Sequence, residues 1–515
     1  MSGEGDRGRG GEVRVFSQYD RDFTDQADVV VVGSGPCGAV VCYELARAGR
    51  RVILLEEGPP FTPADFEFDG FRSMARTLRE GGLRRTRGTI ISTMQAVALG
   101  GGSLVNSAIC VRPPAFVFDR WADGFELERT SRRELDPHFD AVAEFLGIEA
   151  TPEAVAGQRN LLFKRGCDAL GYSSEAMPRN VRGCRGSGEC FTGCRSRAKQ
   201  SMDISYLPAA IAHGARVLTS VQVQRVRWQG TRVTGVEGQV AEPFSGRLSH
   251  RFRVDARIVV LAAGCMATPV LLQKSDDLAN RSGQVGRNLQ FHPGVAAAGF
   301  FPDPIDPQFG ATQGHQSLDF LQEGFKLETL WAPASVIAVR MPGFGHELKE
   351  TFSQLSRMAP WDAIASAHRS LGRVRARFRG MDPILTWQLH PEDVKILTRA
   401  LWVLTEIFLA AGAEKVMPGV QGIPDILHSL REAEVLRTHP VRARDLISGG
   451  NHAFCTTRAH GDRDRGVVDE DGRCHDLDNL YIADTGIFPE CPSVNPMFTG
   501  MALAHRQAGR IANRV

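Results

Sequence analysis

The segment from Asp28 to Gly38 constrains the fold of this 515-residue chain more than any other feature. It reads DVVVVGSGPCG, so a run of valines leads directly into a G-x-G-x-x-G spacing at Gly33, Gly35 and Gly38. Such β-branched runs are typical of buried parallel strands. A helical pattern follows, and then a second apolar strand, RVILLEEG, which carries Glu56. This order of elements predicts an α/β fold with a Rossmann-like domain.

Each part of this segment has a role in binding a dinucleotide. Gly33 permits a tight turn, Gly35 lets the backbone approach a pyrophosphate, and Gly38 allows the helix to pack closely on the strand. The helix N-terminus would face the phosphates, and Glu56 could accept hydrogen bonds from ribose hydroxyls. The complete arrangement favours a dinucleotide site over a glycine-rich turn without a ligand, but it does not separate FAD from NAD.

Size and composition fix the broad class. The length predicts two to four domains, and a chain that is 43% hydrophobic and 23% charged is typical of a soluble globular protein. The net charge of +2 gives no field that would favour nucleic acid or acidic membranes, so we expect no nucleic-acid partner. No apolar run reaches the ~18 residues of a transmembrane helix. The longest, ALWVLTEIFLAAGA from Ala400, contains Glu406 and predicts a buried helix, which leaves a peripheral membrane contact open.

The N-terminal residues 1–13 begin MSGEGDRGRGGE, which is glycine-rich and charged and predicts a disordered tail. No apolar secretion signal follows the start, so we expect a cytoplasmic protein. In that compartment the eleven cysteines would serve as thiols or ligands more readily than as a disulfide framework.

Motifs along nearly the whole chain resemble those of the glucose–methanol–choline (GMC) family of FAD-dependent oxidoreductases. The family's front end is similar to VVVVGSGPCG and LLEEG, its second flavin motif to GGGSLVN, and its adenine-contacting strand to VLTSVQVQRV. Its later signatures resemble VVLAAGCMATPVLLQKS, VGRNLQFHPG and NLYIADTGIFPECPSVNPMFTGMALA. GECFTGCRSRAKQSM and GFKLETL are most similar to bacterial relatives of long-chain alcohol oxidases, whereas GGGSLVN and the C-terminal segment resemble cholesterol oxidase.

The resemblance implies an α/β fold in which separate chain segments build a Rossmann-like FAD-binding domain. A substrate domain of α+β type, with an antiparallel sheet and helices, is inserted between them. We expect the FAD-binding domain to comprise residues 14–115, 205–300 and 440–515, and the substrate-binding domain to comprise 116–204 and 301–439.

The resemblance also implies which residues contact the flavin. Beyond Gly33, Gly35, Gly38 and Glu56, these are Gly101, Gly102, Ser103, Asn106, Val223, Asp484 and Pro496. Asp484 would hold the ribitol chain. Val105 stands where some relatives carry a histidine bonded covalently to FAD, and because valine cannot form that bond we expect non-covalent FAD.

His452, in the sequence GNHAF, could be a packed core residue, a metal ligand or a catalytic base. No ligand partner lies at i+3 or i+4, which disfavours zinc, and we assign no metal ligand. Alcohol oxidation needs a base of near-neutral pKa and a polar group that orients the hydroxyl. His452 and Asn495 match the family's His/Asn pair, although HAFCTTRAHG departs from the family's usual sequence after the histidine. The resemblance therefore implies His452 as the base and Asn495 as its partner.

Three cysteines form a cluster in the glycine-rich sequence GCRGSGECFTGC, at Cys184, Cys190 and Cys194. Their thiolates could bind an iron–sulfur cluster, as in flavin glucose dehydrogenases that resemble this family. A loop packed by thiols or closed by a disulfide is the alternative, and zinc is a third. We assign no iron–sulfur cluster.

The resemblance implies an FAD-dependent alcohol oxidase or dehydrogenase that acts on CH–OH donors and passes electrons to O2 or to a separate acceptor. The stretch from Phe320 to Phe408 is rich in Leu, Trp, Phe, Met and Ala, which fits a pocket for a bulky apolar alcohol, long-chain or sterol-like, and also fits ordinary core packing. One alternative is oxidation of a sugar or secondary-metabolite hydroxyl. Another is a flavoprotein with a lyase, isomerase or structural role.

Overall fold

The computed structural model describes residues 11–515. Most of the tail predicted for residues 1–13 lies outside this range. Within it, Glu12–Arg14 is a strand rather than a disordered segment, because it pairs in parallel with Arg216–Leu218 at the edge of a sheet. The ordered chain therefore begins before the predicted limit.

The first sheet has the Rossmann-like core that the valine run predicts. Its strands are, in spatial order, Glu12–Arg14, Arg216–Leu218, Val52–Leu55, Phe23–Val32, Leu248–Leu261, Arg232–Ala241 and Val221–Gln229, with Leu480–Ile482 paired to Leu248–Leu261. The strands up to Leu248–Leu261 are parallel, and the last two form antiparallel pairs. The side chains of the valine run are buried, as expected for a strand covered on both faces.

The second sheet is antiparallel. Its strands are, in order, Lys415–Met417, Gly294–Phe300, Met358–Ala365, Phe325–Thr329, His315–Ser317 and Glu175–Ala176, with Ser448–Gly449 paired to Gly294–Phe300. The helix Pro391–Ala410 packs on this sheet, and the Trp361 and Phe408 rings stack with centroids 3.7 Å apart. This helix contains the apolar run from Ala400, which is buried as predicted.

A small third sheet and two strand pairs complete the β structure. The third sheet contains Gly372–Ala376, Pro383–Trp387 and Arg87–Gly88; the pairs are Gln290–Phe291 with Ala453–Phe454 and Ile148–Ala150 with Pro178–Asn180. The α-helices lie in the connections between strands and after the last one. They are Pro36–Arg47, Gly70–Thr77, Ala115–Phe125, Arg132–Leu146, Gln158–Leu170, Tyr206–Ala212, Ala267–Lys274, Ala334–Ala338, His346–Ser353, Pro391–Ala410, Leu430–Ala433, Val435–Thr438 and Pro496–Ala512. Among the described residues, the helices are all too short or too polar to cross a bilayer.

Two elements pack with a different domain from the one to which the predicted limits assign them. Gly294–Phe300, at the end of the predicted segment 205–300, is a central strand of the antiparallel sheet. Arg132–Leu146, inside the predicted segment 116–204, packs on Pro496–Ala512 and buries its apolar face in the core of the first sheet. In both cases, packing against segments distant in sequence determines the placement.

Candidate active site

The glycine loop after the first valine strand has the geometry that a dinucleotide site requires. Gly33 has φ +105°, and a Cβ there would lie 2.3 Å from the Ala262 carbonyl oxygen. A Cβ on Gly38 would lie 2.1 Å from the Gly33 carbonyl oxygen, so the helix packs against the loop without room for a side chain. Gly35 is the N-cap of the helix Pro36–Arg47, and no heavy atom lies within 4 Å of its Cβ position. The loop is closed toward the protein and open at Gly35.

The second glycine segment meets this loop directly. A Cβ on Gly101, which has φ +55°, would lie 2.7 Å from the Gly35 Cα, whereas the Cβ position of Gly102 is open. Ser103 is buried; its Oγ donates to the Gly100 carbonyl at 2.6 Å and accepts from the Met202 amide. The two segments therefore form one cradle with open glycine faces.

Asn106 and Pro496 connect the cradle to the C-terminal helix. Asn106 Nδ2 contacts Met497 Sδ at 3.0 Å, and its Oδ1 accepts from the Ala108 amide at 3.1 Å. Pro496 is the first residue of the helix Pro496–Ala512, where a missing N–H costs nothing. These contacts hold the second glycine segment against the helix that begins after Asn495.

Glu56 lies at the end of its strand beside the glycine loop. Its carboxylate accepts from the Ser34 amide at 2.9 Å, the Ser34 hydroxyl at 2.5 Å and the Gly58 amide at 2.7 Å. Burial raises the pKa of Glu56, and these hydrogen bonds oppose that rise. Val223 lies on the strand Val221–Gln229, whose first amide donates to the Glu56 carbonyl at 2.9 Å. The start of the strand that carries Val223 thus meets the chain at Glu56.

Asp484 lies just after the strand Leu480–Ile482 and contacts a further glycine loop. Its carboxylate accepts from the Gly264 amide at 3.0 Å, the Thr268 hydroxyl at 2.5 Å and the Gly486 amide at 2.8 Å. Burial raises its pKa, and the hydrogen bonds oppose the rise. Gly264 has φ +90° and an open Cβ position, so this loop also presents bare backbone. Open backbone at three glycine segments, with buried carboxylates behind them, fits a flavin dinucleotide.

His452 directly precedes the strand Ala453–Phe454 and is paired with a second histidine. Its Nδ1 lies 3.1 Å from His292 Nδ1, and the His292 amide donates to the His452 carbonyl at 3.2 Å. The two rings meet edge to face, at 85°. Burial lowers the pKa of His452 to about 4, Glu328 opposes this effect and Lys326 adds to it. This pKa lies below the near-neutral value that the sequence interpretation expected of the base. Burial also holds the pKa of His292 well below its usual range, so both rings are neutral at pH 7.

Asn495 is buried and is held by a buried ion pair. Lys326 Nζ donates to Asn495 Oδ1 at 2.7 Å and to Glu328 Oε1 at 2.6 Å. Lys326 and Glu328 are 0% and 1% exposed, and Gln313 Nε2 donates to the second Glu328 oxygen at 2.6 Å. Because Lys326 occupies the amide oxygen, the Asn495 NH2 group is the end left free to donate.

The same cluster links the two predicted catalytic residues. Lys326 contacts Asn495, and Lys326 and its ion-pair partner Glu328 both act on the pKa of His452, so His452 and Asn495 share one electrostatic neighbourhood. Asp362 extends the cluster on the paired strand, and burial raises its pKa well above the usual range. The sequence interpretation missed Lys326, Glu328 and Asp362. The sequence GFKLETL did contain a signal, since Lys and Glu two residues apart in a strand share one face.

The cysteine loop contains thiols. All eleven cysteines, each within the part of the chain that the structure describes, are free. Arg179 Nη2 lies 3.6 Å from Cys184 Sγ, and Cys194 Sγ lies 3.3 Å from Ser196 Oγ. Over residues 11–515 there is also no grouping of three or more His, Cys, Asp or Glu side chains suited to a metal ion. The three cysteines of this loop are therefore free thiols in the structure.

Comparison with known proteins gives one consistent result. Two family models described as GMC oxidoreductase match residues 27–294 and 369–504. A GMC-type oxidoreductase of Mycobacterium tuberculosis is 32% identical over 512 residues, which cover 98% of this chain and 78% of the relative. A long-chain-alcohol oxidase of Arabidopsis thaliana is 27% identical over 519 residues, covering 95% of this chain and 68% of the relative. The crystal structure of pyridoxine 4-oxidase from Mesorbium loti superposes with a TM-score of 0.71 at 20% identity, covering 94% of this chain and 99% of that one.

Proposed function

Because this chain belongs to the GMC oxidoreductase family, we propose that it oxidises an alcohol carbon, CH–OH, to an aldehyde or ketone with non-covalent FAD as cofactor. The observation that carries the proposal is the pair of neutral His452 and buried Asn495, joined through one charged cluster beside a glycine cradle. A base and a hydroxyl-orienting donor are the two protein groups that this reaction needs.

The glycine cradle would hold the FAD. Gly35 and Gly102 would face its phosphates, Glu56 would lie on the adenosine side, and Asp484 would lie toward the ribitol. When bound, FAD supplies the acceptor for the hydride that leaves the alcohol carbon. The side chain of Val105 has no nucleophilic atom that could bond covalently to FAD, so the cofactor is dissociable.

His452 takes the hydroxyl proton. The Nδ1 to Nδ1 contact of 3.1 Å with His292 needs one hydrogen between the two rings. We assign that hydrogen to His452 Nδ1, with His292 as the acceptor. This tautomer leaves the lone pair of His452 Nε2 free to accept the proton, and the lowered pKa keeps it free at neutral pH.

Asn495 positions the alcohol oxygen. Its amide oxygen is occupied by Lys326 Nζ, so its Nδ2 donates to the substrate oxygen and stabilises the negative charge that develops there. Its position at the N-terminus of the helix Pro496–Ala512 adds a favourable local dipole.

We propose a bulky apolar alcohol as the substrate, because the long-chain-alcohol oxidase of Arabidopsis thaliana is among the relatives that align over nearly the whole chain. The apolar composition of the antiparallel sheet and its helix is compatible with this substrate. That this relative is an oxidase also supports O2 as the electron acceptor.

Anaerobic mixing of the holoenzyme with a panel of alcohols tests the proposal. The panel contains primary alcohols of increasing chain length, a sterol and a sugar. Bleaching of the flavin by the long-chain or sterol members, with an aldehyde or ketone product, supports the proposal. Bleaching by the sugar alone would favour the alternative of a polar hydroxyl substrate, and no bleaching by any member would favour a non-redox role. Readmission of air then distinguishes an oxidase from a dehydrogenase.

A further inference from the structure

The three-stranded sheet has one apolar face and one face of arginines. In the strand Gly372–Ala376, Val374 is 1% exposed, whereas Arg373 and Arg375 are exposed. Thr386 lies between Arg373 and Arg87 in the strand register, so both arginines share the outer face of the sheet. The two strand spacings place these arginines about 10 Å apart.

This basic surface is formed by seven exposed arginines from the sheet, its hairpin and the adjoining segments: Arg85, Arg87, Arg369, Arg373, Arg375, Arg377 and Arg379. Within residues 11–515, none of the seven has a carboxylate oxygen within 4 Å. The neighbouring Arg84 shows the contrast, since it is buried and pairs with Glu80 and Asp382. A cluster of like charges that no carboxylate contacts directly costs free energy, and a negatively charged partner would remove that cost.

Large apolar side chains project among these arginines. Phe378 lies at the hairpin tip, between Arg377 and Arg379, and is 94% exposed. Leu83 and Ile90, which flank the strand Arg87–Gly88, are 74% and 62% exposed. Such exposed apolar groups beside basic ones are typical of surfaces that insert into the boundary between lipid headgroups and acyl chains.

We propose that this basic surface docks on the face of a bilayer that contains anionic phospholipids. The arginines contact the lipid phosphates, and Phe378, Leu83 and Ile90 enter the interface. The combination favours a membrane over nucleic acid, because the exposed aliphatic side chains of Leu83 and Ile90 gain from hydrocarbon contact and offer nothing to a phosphate backbone.

The docking surface is continuous with the catalytic segments. Gly372 begins the strand Gly372–Ala376 and forms a β-bridge with Leu289. Leu289 directly precedes Gln290–Phe291, the strand that pairs with Ala453–Phe454. Ser92 bridges Gly449, three residues before His452. A docked protein would thus hold the site close to a reservoir of apolar alcohols. The docking itself goes beyond the proposed function and does not depend on it, because binding can be measured without turnover.

Co-sedimentation of the holoenzyme with vesicles tests the inference. The vesicles are made of phosphatidylcholine alone or of phosphatidylcholine with phosphatidylglycerol. We expect binding only to the second kind, and we expect it to weaken when the ionic strength rises from about 0.1 M to about 1 M, which shortens the Debye length from ~10 Å to ~3 Å. The variant Arg373→Gln/Arg375→Gln/Arg377→Gln should partition about 100-fold less onto the anionic vesicles.

The matched control removes the same charge elsewhere. Arg133, Arg185 and Arg232 are exposed and, like the seven arginines, have no carboxylate oxygen within 4 Å inside the described range. Arg133→Gln/Arg185→Gln/Arg232→Gln should bind the vesicles within a factor of a few of the wild type. Phe378→Ser should weaken the binding that persists at high salt.

Three outcomes would overturn the inference. The first is equal binding to neutral and anionic vesicles, and the second is equal losses in the two triple variants. The third is the absence of vesicle binding together with salt-sensitive binding to duplex DNA, which would identify the surface as a nucleic-acid site. Alcohol oxidation by the unbound protein is measured in parallel, so failure of docking is separate from failure of the proposed reaction.

Discussion

Replacing Lys326 with methionine tests the charged cluster that holds Asn495. The substitution leaves the Glu328 carboxylate, which is 1% exposed, with only the Gln313 amide as a polar partner. Stranding one member of a buried ion pair costs about 3–5 kcal/mol of unfolding free energy.

The double variant Lys326→Met/Glu328→Gln separates stability from catalysis. A neutral glutamine removes the stranded charge and still accepts from Gln313, so most of the lost unfolding free energy should return. In both variants, however, the side-chain oxygen of Asn495 has lost the hydrogen bond that Lys326 donates to it. Loss of one charge-assisted hydrogen bond of about 1.5–3 kcal/mol should slow flavin reduction by about 10- to 100-fold in both.

Urea unfolding and anaerobic rapid mixing measure the two quantities. Lys199→Met is the stability control, because Lys199 is 1% exposed but donates to the carbonyls of Leu104, Asn106 and Cys190, so its removal strands no carboxylate. A double variant as unstable as Lys326→Met, or one that reduces the flavin at the wild-type rate, would refute the reasoning.

Three other predictions concern the cofactor and the histidines. Glu56→Ala should weaken FAD binding by about 1–3 kcal/mol, because the variant loses the carboxylate that faces the ribose and that accepts from the Ser34 amide. Titration of the apoprotein with FAD measures this effect, and an unchanged Kd would contradict the role. Acid precipitation should release all yellow colour to the supernatant because Val105 cannot bind FAD covalently, and colour in the pellet would contradict this. Burial lowers the pKa of His138, His315 and His452 from 6.5 to about 4, so the unfolded state binds protons first and the unfolding free energy should fall as the pH drops from 6.5 to 4. Each histidine contributes a slope of up to about 1.4 kcal/mol per pH unit there, and a flat unfolding free energy over that range would contradict the assignment.

The sequence predicted the parts of the site that depend on local structure. The glycine loop follows from the strand, turn and helix pattern over a dozen residues, and the Cβ position of Gly35 is open in the structure. The resemblance to the family brought out His452 and Asn495, because each lies in a short motif. The residues that contact this pair could not be found from a short motif. Lys326 lies 169 residues from Asn495, and His292 lies 160 residues from His452.

Long-range packing and local charge explain what could not be predicted. The amphipathic pattern of Arg132–Leu146 shows that one face is buried, but it does not say that the C-terminal helix covers that face. The net charge of +2 gave no indication of a basic surface, because a total charge does not say how the charges are distributed over the molecule. Only the strand register places Arg87 beside Arg373.

The most direct test of the central claim is the rate at which an alcohol bleaches the flavin of His452→Ala under anaerobic rapid mixing. The variant should fold, retain FAD and bleach about 10²- to 10⁴-fold more slowly than the wild type, since it lacks the base. The wild-type rate should rise with pH through about 4, where His452 loses its proton, and this dependence should be absent from the variant. A variant that bleaches within a factor of a few of the wild type, or that keeps the same pH dependence, would contradict the assignment of His452 as the base.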